Sequence, residues 1–295
     1  MNNTKKKSPI SWVPTAYFAM GLPFVVLNMV TVLMFKGLEV DDKLITFWTS
    51  LILLPWTLKP LWSPFLELFR TKKFFVIVTQ LITGVTFGLV AFALNLSHFF
   101  SISIALLAIV AFSGATHDIA CDGVYMSELS NEDQAKFIGW QGAFYNIAKI
   151  LATGGLVYLA GYFIELNADA GLLIANKRAW MIILLILSVT MILLGIYHLF
   201  ALPSTQSASS KKTIRSNKEV IKELGQVLMD FFRKTHITYY IFFIILYRFA
   251  EGFVMKIVPL FLKADREMGG LGLNEKEIGL YYGTYGAAAF VLGSL

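Results

Sequence analysis

Seven ionisable side chains stand inside stretches otherwise apolar enough to lie in lipid: Lys59, Asp118, Asp122, Lys149, Arg248, Glu251 and Lys256. A charge in hydrocarbon costs several kcal/mol unless it is paired or wetted, so each of them marks an ion pair or a hydrated path. Asp118 and Asp122 are four residues apart, which on a helix puts both carboxylates on one face, one turn apart. Two neighbouring carboxylates, and burial besides, strengthen each other's hold on a proton. The chemistry on offer is reversible protonation that couples solute movement to a proton gradient. The same geometry serves a fixed latch, in which Lys59 neutralises one of the pair and clips two helices together. These readings overlap, since a latch that opens on protonation is a gate.

Lys149 lies deep in its apolar run, near the middle of a bilayer, with Gln141, Tyr145 and Asn146 close by on the same helix. Such a group suits hydrogen bonding to a hydroxyl-rich or anionic solute; the alternative is a lysine held by Asp118 across a helix interface. Arg248 and Glu251 are three apart and can pair on one helix surface, so Glu251 is either a coupling residue or half of a structural ion pair. Lys256, without a near partner on its own helix, is an anion-binding candidate or else snorkels outward. Asn28 and Arg248 complete the set of solute-binding candidates, and Lys59, Asp118, Asp122 and Glu251 form the proton-coupling or gating set.

What must hold these groups is an all-α set of membrane-crossing helices. Apolar runs of the required length, about 20 residues, occur at 12–35, 44–65, 74–96, 99–126, 137–164, 179–202, 237–262 and from 278 onward. They are continuous rather than alternating, which selects helices over a barrel. The first is too long for a signal peptide, and Asn28, Thr31 and Lys36 stand where a small-residue cleavage site would be. With 57% apolar and only 15% charged residues, the chain has too little charge to cover a water-soluble surface. Its single cysteine, Cys121, excludes an intramolecular disulfide and a cysteine-built metal cage. The net charge of +6 falls between the apolar runs instead of on a nucleic-acid-binding face. Fourteen Lys and Arg lie on the side of the N-terminus against seven on the other, which places the N-terminus in the cytoplasm.

The organisation is two-part. Residues 1–202 form a six-helix half, 203–236 a cytoplasmic linker, and 237–295 the first two helices of a second half. In the linker, apolar residues from Val220 to Phe232 recur at helical spacing among Lys218, Lys222, Arg233 and Lys234. This is an amphipathic helix, lying on the membrane face or packed on the ends of the spans. Because the sequence stops within an apolar run at Leu295, about four further helices are expected by the logic of two repeats. Glycines at 139, 142, 154, 155, 161, 279, 283, 286 and 293 supply small helix faces for close approach. Pro55, Pro60 and Pro64 are expected to bend the second span, and Gly21-Leu22-Pro23 the first.

Gly21-Leu22-Pro23, the Lys59-x-x-Trp62-Ser63-Pro64 segment with Glu67 after it, Thr79-Gln80, and Asp118-Ile119-x-x-Asp122 together resemble the AmpG-type muropeptide permeases. That group falls in the major facilitator superfamily, near transporters of acetyl-coenzyme A. The resemblance implies twelve helices in two halves, alternating access, and proton-linked import of cell-wall sugar-peptide fragments across a bacterial cytoplasmic membrane. It maps Lys59, Asp118 and Asp122 onto the family's charged positions. The chain departs from the pattern at Glu67, where Asp is usual, at His117, where Gln is frequent, and at Asn146, where an Arg is expected with Lys149 one turn later.

A membrane-embedded transferase is the rival class, since carboxylates four apart can hold magnesium on a diphosphate. Such a site needs a second acidic cluster on another helix, and the sequence has none. Aspartyl protease chemistry would need its two aspartates on separate spans. The expectation is therefore a monomeric carrier of a small-molecule solute, with protons as coupling ion, the lipid bilayer as surroundings, and no nucleic acid, metal or cofactor.

Overall fold

The computed structural model describes residues 7–63, 66, 71–203, 225–226, 229–230, 232–286 and 289, apart from the side chains of Arg248, Ala250 and Glu251. Among these residues six helices are long and apolar enough to cross a membrane: α1 (Pro9–Gly37), α2 (Asp42–Leu61), α3 (Lys72–Ala93), α4 (Phe99–Glu128), α5 (Asn131–Leu166) and α6 (Leu172–Ala201). Helix α7 (Ile237–Lys263) and helix α8, which runs Glu275–Ile278 and continues through Gly279–Tyr285, stand at the seventh and eighth expected spans. Of the amphipathic helix expected in the linker only residues 225–226, 229–230 and 232 are described, and these are helical; the rest of it, Pro64, Glu67 and most of the final residues of the eighth span lie outside the described residues.

Several helices start earlier than their apolar runs, because polar caps extend them beyond the hydrocarbon. Ser130 accepts the Asp133 N–H and starts α5 six residues before Phe137. Asp41 accepts the N–H groups of Lys43 and Leu44 at the head of α2. Asn274 and Glu277 form a reciprocal capping box on α8. Helix α6 begins at Leu172, after Gly171 with φ +88°, so Lys177 and Arg178 ride on its first turns and not in a loop.

The prolines act as expected where they are described. Helix α2 is interrupted at residues 52–53, just before Pro55, and tightens to a 3-10 turn over Lys59–Leu61, around Pro60. Helix α1 widens into a π segment, Val26–Val30, directly after Pro23. Missing amide hydrogens loosen the backbone ladder at such points.

Packing separates the molecule into a near face, where α1 begins, and a far face, where it ends. Helices α3, α4 and α6 pack closely, as do α1 and α5, around Trp180, Phe35, Phe87, Leu107 and Ile183, all fully buried. Among the described residues the main contacts between the two halves lie on the far side: α7 meets the later part of α1, and α8 meets the later part of α5. A Cβ on Gly283 would run into the Thr153 carbonyl and the Gly154 backbone, so α5 and α8 touch backbone to backbone there. Gly139 and Gly142 on α5 have no neighbouring atom within 4 Å. Tyr239, Tyr240, Phe242, Phe243 and Tyr247 on α7 are all exposed.

Candidate functional site: a buried lysine–aspartate centre at the near end

Near the near face, α2 and α4 cross so that the Lys59 ammonium lies 2.7 Å from Asp118 Oδ2. The Trp56 indole N–H donates to the same oxygen at 2.9 Å. Trp56 and Lys59 are three residues apart on α2 and share a face, and the bend before Pro55 turns that face toward α4. Asp118 is buried, whereas the lysine side chain is 27% exposed. One oxygen, Oδ1, has no hydrogen-bond partner among the described residues.

Asp122 is arranged differently. It accepts a hydrogen bond from the Tyr17 hydroxyl of α1 at 2.8 Å and is itself exposed. Tyr17 is buried, held edge-on by Tyr125. The four-residue spacing thus yields one face but two neighbours: Asp118 joins α4 to α2, and Asp122 joins α4 to α1. Of the two earlier readings, the Lys59 latch describes the contact of Asp118. The alternative in which Asp118 holds Lys149 does not match, since Lys59 and Trp56 occupy its bonded oxygen.

A second polar run crosses the core of the first half. His198 Nδ1 of α6 bonds to Gln80 Oε1 of α3 at 2.8 Å, and Gln80 Nε2 bonds to His117 Nε2 of α4 at 2.9 Å. At its other end His198 Nε2 meets the Thr15 hydroxyl of α1 at 2.9 Å. With the amide in this orientation, His198 donates and His117 accepts, which leaves the hydrogen of His117 on the buried and unpartnered Nδ1. The chain ties four helices together and fixes the rotation of α4 on which Asp118 depends.

The remaining candidates are spread out. Tyr145 is half-buried with its ring and carbonyl against Gly21, and Gln141 is half-buried beside Tyr125. Asn146 and Lys149 are exposed on α5, and the Asn146 amide donates to Gly142 O at 2.9 Å. The Asn28 side chain is buried and turned back onto Phe24 O at 2.9 Å. Lys256 does not snorkel: it is 6% exposed and reaches the carbonyls of Asn28 and Thr49 at 3.3 Å each. Arg248 and Glu251 lie on α7, but their side chains are outside the described set.

Sequence reasoning missed Trp56, Tyr17, Gln80 as a hub, and His198. Trp56 had a signal, its helical spacing to Lys59. Gln80 and His198 had one too, as polar residues in apolar spans, but a search confined to charges passes over them. Tyr17 had none, because nothing local shows which helix faces Asp122.

The family model described as Major Facilitator Superfamily matches residues 15–295. No protein of curated function matches the sequence. Among solved structures, the fold is similar to a bacterial homolog of the human lysosomal transporter Spinster, in an inward-facing and unoccupied conformation. That likeness has a TM-score of 0.68 at 14% identity, covering 98% of this chain and 61% of the other. A D-xylose–proton symporter is similar at a TM-score of 0.64 and 13% identity, covering 97% of this chain and 68% of the other. The chain therefore spans about three fifths of the length of the first of these transporters. At such identities the likeness concerns the fold alone, and it agrees with the family match over nearly the whole sequence. An all-helical chain with six long apolar helices, a following seventh and eighth, and a family match from Thr15 to its last residue belongs to the major facilitator superfamily.

Proposed function

We propose that the chain is part of a secondary transporter, a proton-coupled importer of muropeptides or related amino-sugar solutes that works by alternating access. Supporting this are the family membership, the resemblance of the Lys59–Pro64 and Asp118–Asp122 segments to muropeptide permeases, and above all one observation. Two aspartates one turn apart sit toward the near end of the bundle, one buried on a lysine and one exposed on a tyrosine. Asp122 is open to a proton; Asp118 keeps an unbonded oxygen on which a second proton could rest while Lys59 lets go. Neutralising Asp118 weakens the attachment of α2 to α4, so proton occupancy and helix position depend on each other.

In this reading Lys149, Asn146, Tyr145 and Gln141 line the path on α5, where a sugar's hydroxyl groups and a peptide's carboxylate would find donors. The protein is a monomer in a bacterial cytoplasmic membrane, with its near face toward the cytoplasm. The test is uptake into vesicles by the full-length protein, driven by a proton gradient, with competition by amino sugars, muropeptides and coenzyme A esters. Competition by muropeptides or amino sugars supports the reading; competition by the esters alone moves the chain to another solute class. Asp118→Asn and Asp122→Asn are each expected to lower gradient-driven uptake about tenfold or more, on the scale of a lost proton-transfer group, without preventing membrane insertion. Uptake and pH dependence unchanged in both variants would remove the pair from the mechanism.

A further inference from the structure

Lys256 is a buried cation that the coupling centre does not use. It sits on α7 with 6% of its surface exposed, and among the described residues it has no carboxylate partner. Its ammonium crosses from the second half to the first and binds two backbone carbonyls, Asn28 O and Thr49 O. Both are at irregular turns. Asn28 lies within the π segment of α1, where carbonyls leave the regular ladder. Thr49 lies just before the interruption of α2, and the Leu53 N–H that would bond to Thr49 O in a continuous helix turns to Ser50 O instead. One lysine from the second half thus binds backbone carbonyls at irregular points of two helices of the first.

We propose that Lys256 is the bolt of the far-face closure, a reversible gating residue whose charge, not its bulk, keeps the two halves together on that side. This rests on the alternating-access reading of the protein. Two neutral carbonyls hold an ammonium less firmly than a carboxylate does, so the contact is suited to breaking. When α7 withdraws, the buried ammonium gains water as it loses the carbonyls, and the desolvation cost of the closed state is returned in the open one. A charge with a stable place in each arrangement favours two discrete states over a continuum. The tight glycine contacts between α5 and α8 add closeness without hydrogen bonds of their own, so they register the two halves while Lys256 fastens them.

The test uses the full chain with Cys121→Ala in phospholipid nanodiscs. Spin labels go at Ile174 and Met268 for the far face and at Met126 and Tyr239 for the near face, all exposed positions. With Lys256 present, the far-face pair should give a single short distance. In Lys256→Met, which keeps the length and removes the charge, a longer far-face distance should gain about tenfold in population, the ratio that one or two charge-assisted hydrogen bonds can hold. The near-face pair should shorten in step, and Lys256→Arg should keep the short far-face distance. Unchanged distances in Lys256→Met, or the same opening in Lys256→Arg, would overturn the proposal. If Lys256→Met does not insert, Lys256→Gln is read by the same distances with a smaller expected shift. No solute or gradient is needed, so these distances decide on the bolt even if vesicle uptake fails, and uptake by a variant with unchanged distances leaves transport standing without it.

Discussion

The near and far ends of this bundle use their charged residues in different ways. At the near end a lysine and two aspartates are joined within the first half, α1 and α2 to α4, and no described contact there reaches α7 or α8. At the far end Lys36–Asp42 likewise joins α1 to α2 within the first half, but further contacts run between halves: Lys256 to the carbonyls of α1 and α2, and Lys276 to Glu165 at 2.9 Å. Lys263–Glu275 ties α7 to α8 beside them. Among the described residues, charge therefore shapes one half internally at the near end, and at the far end it also fastens the two halves together. In the proposed mechanism a carboxylate suits a contact that persists until a proton arrives, and a carbonyl one that yields to movement alone.

The comparison breaks most sharply at Lys59. Lys59→Met leaves Asp118 buried beside a single indole donor and is expected to cost about 3 kcal/mol, read as a lowered unfolding midpoint in detergent. Lys59→Met combined with Asp118→Asn should recover most of that loss, because no uncompensated charge remains. A loss in the double variant as large as in the single would mean that Lys59 acts through packing. Next is the seam itself: Gly283→Val puts a branched side chain where α5 and α8 meet backbone to backbone, for about 2 kcal/mol of strain. Its signature should be a longer distance between far-face labels at Ile174 and Met268, and unaltered distances would show that the seam gives way locally. The smallest effect belongs to Lys276→Met. The Lys276–Glu165 pair is largely exposed, so water and salt screen it and the unfolding midpoint should not move measurably. A shift as large as that of Lys59→Met would erase the proposed difference between the ends.

How far the sequence discloses this arrangement depends on what kind of partner each group has. The spans were readable because burial in lipid demands length and apolarity, which are local properties. Lys59 and Asp118 were readable as complementary charges, each intolerable alone. The partner of Asp122 was not, because Tyr17 is an ordinary aromatic residue in an apolar helix, and only the crossing of α1 over α4 gives it a role. Lys256 stands in the sequence without a near partner on its own helix, and the sequence offers nothing further. The partners described for it are carbonyls at a π segment and just before a helix break, which have no letter in a sequence. The His198–Gln80–His117 run was legible only as polar residues in apolar spans: neutral side chains carry no charge to draw notice, and nothing local shows that they meet across three helices.

The interruption of α2 divides that helix into two arms, and the two lysine contacts fall on different ones. Thr49, which receives Lys256, precedes the break; Lys59, bound to Asp118, follows it. A helix jointed there can tilt its upper arm with the departing half while its lower arm stays moored to α4. The two ends of the pathway then need not swing as one rigid lever, and each can complete its own step before the other begins.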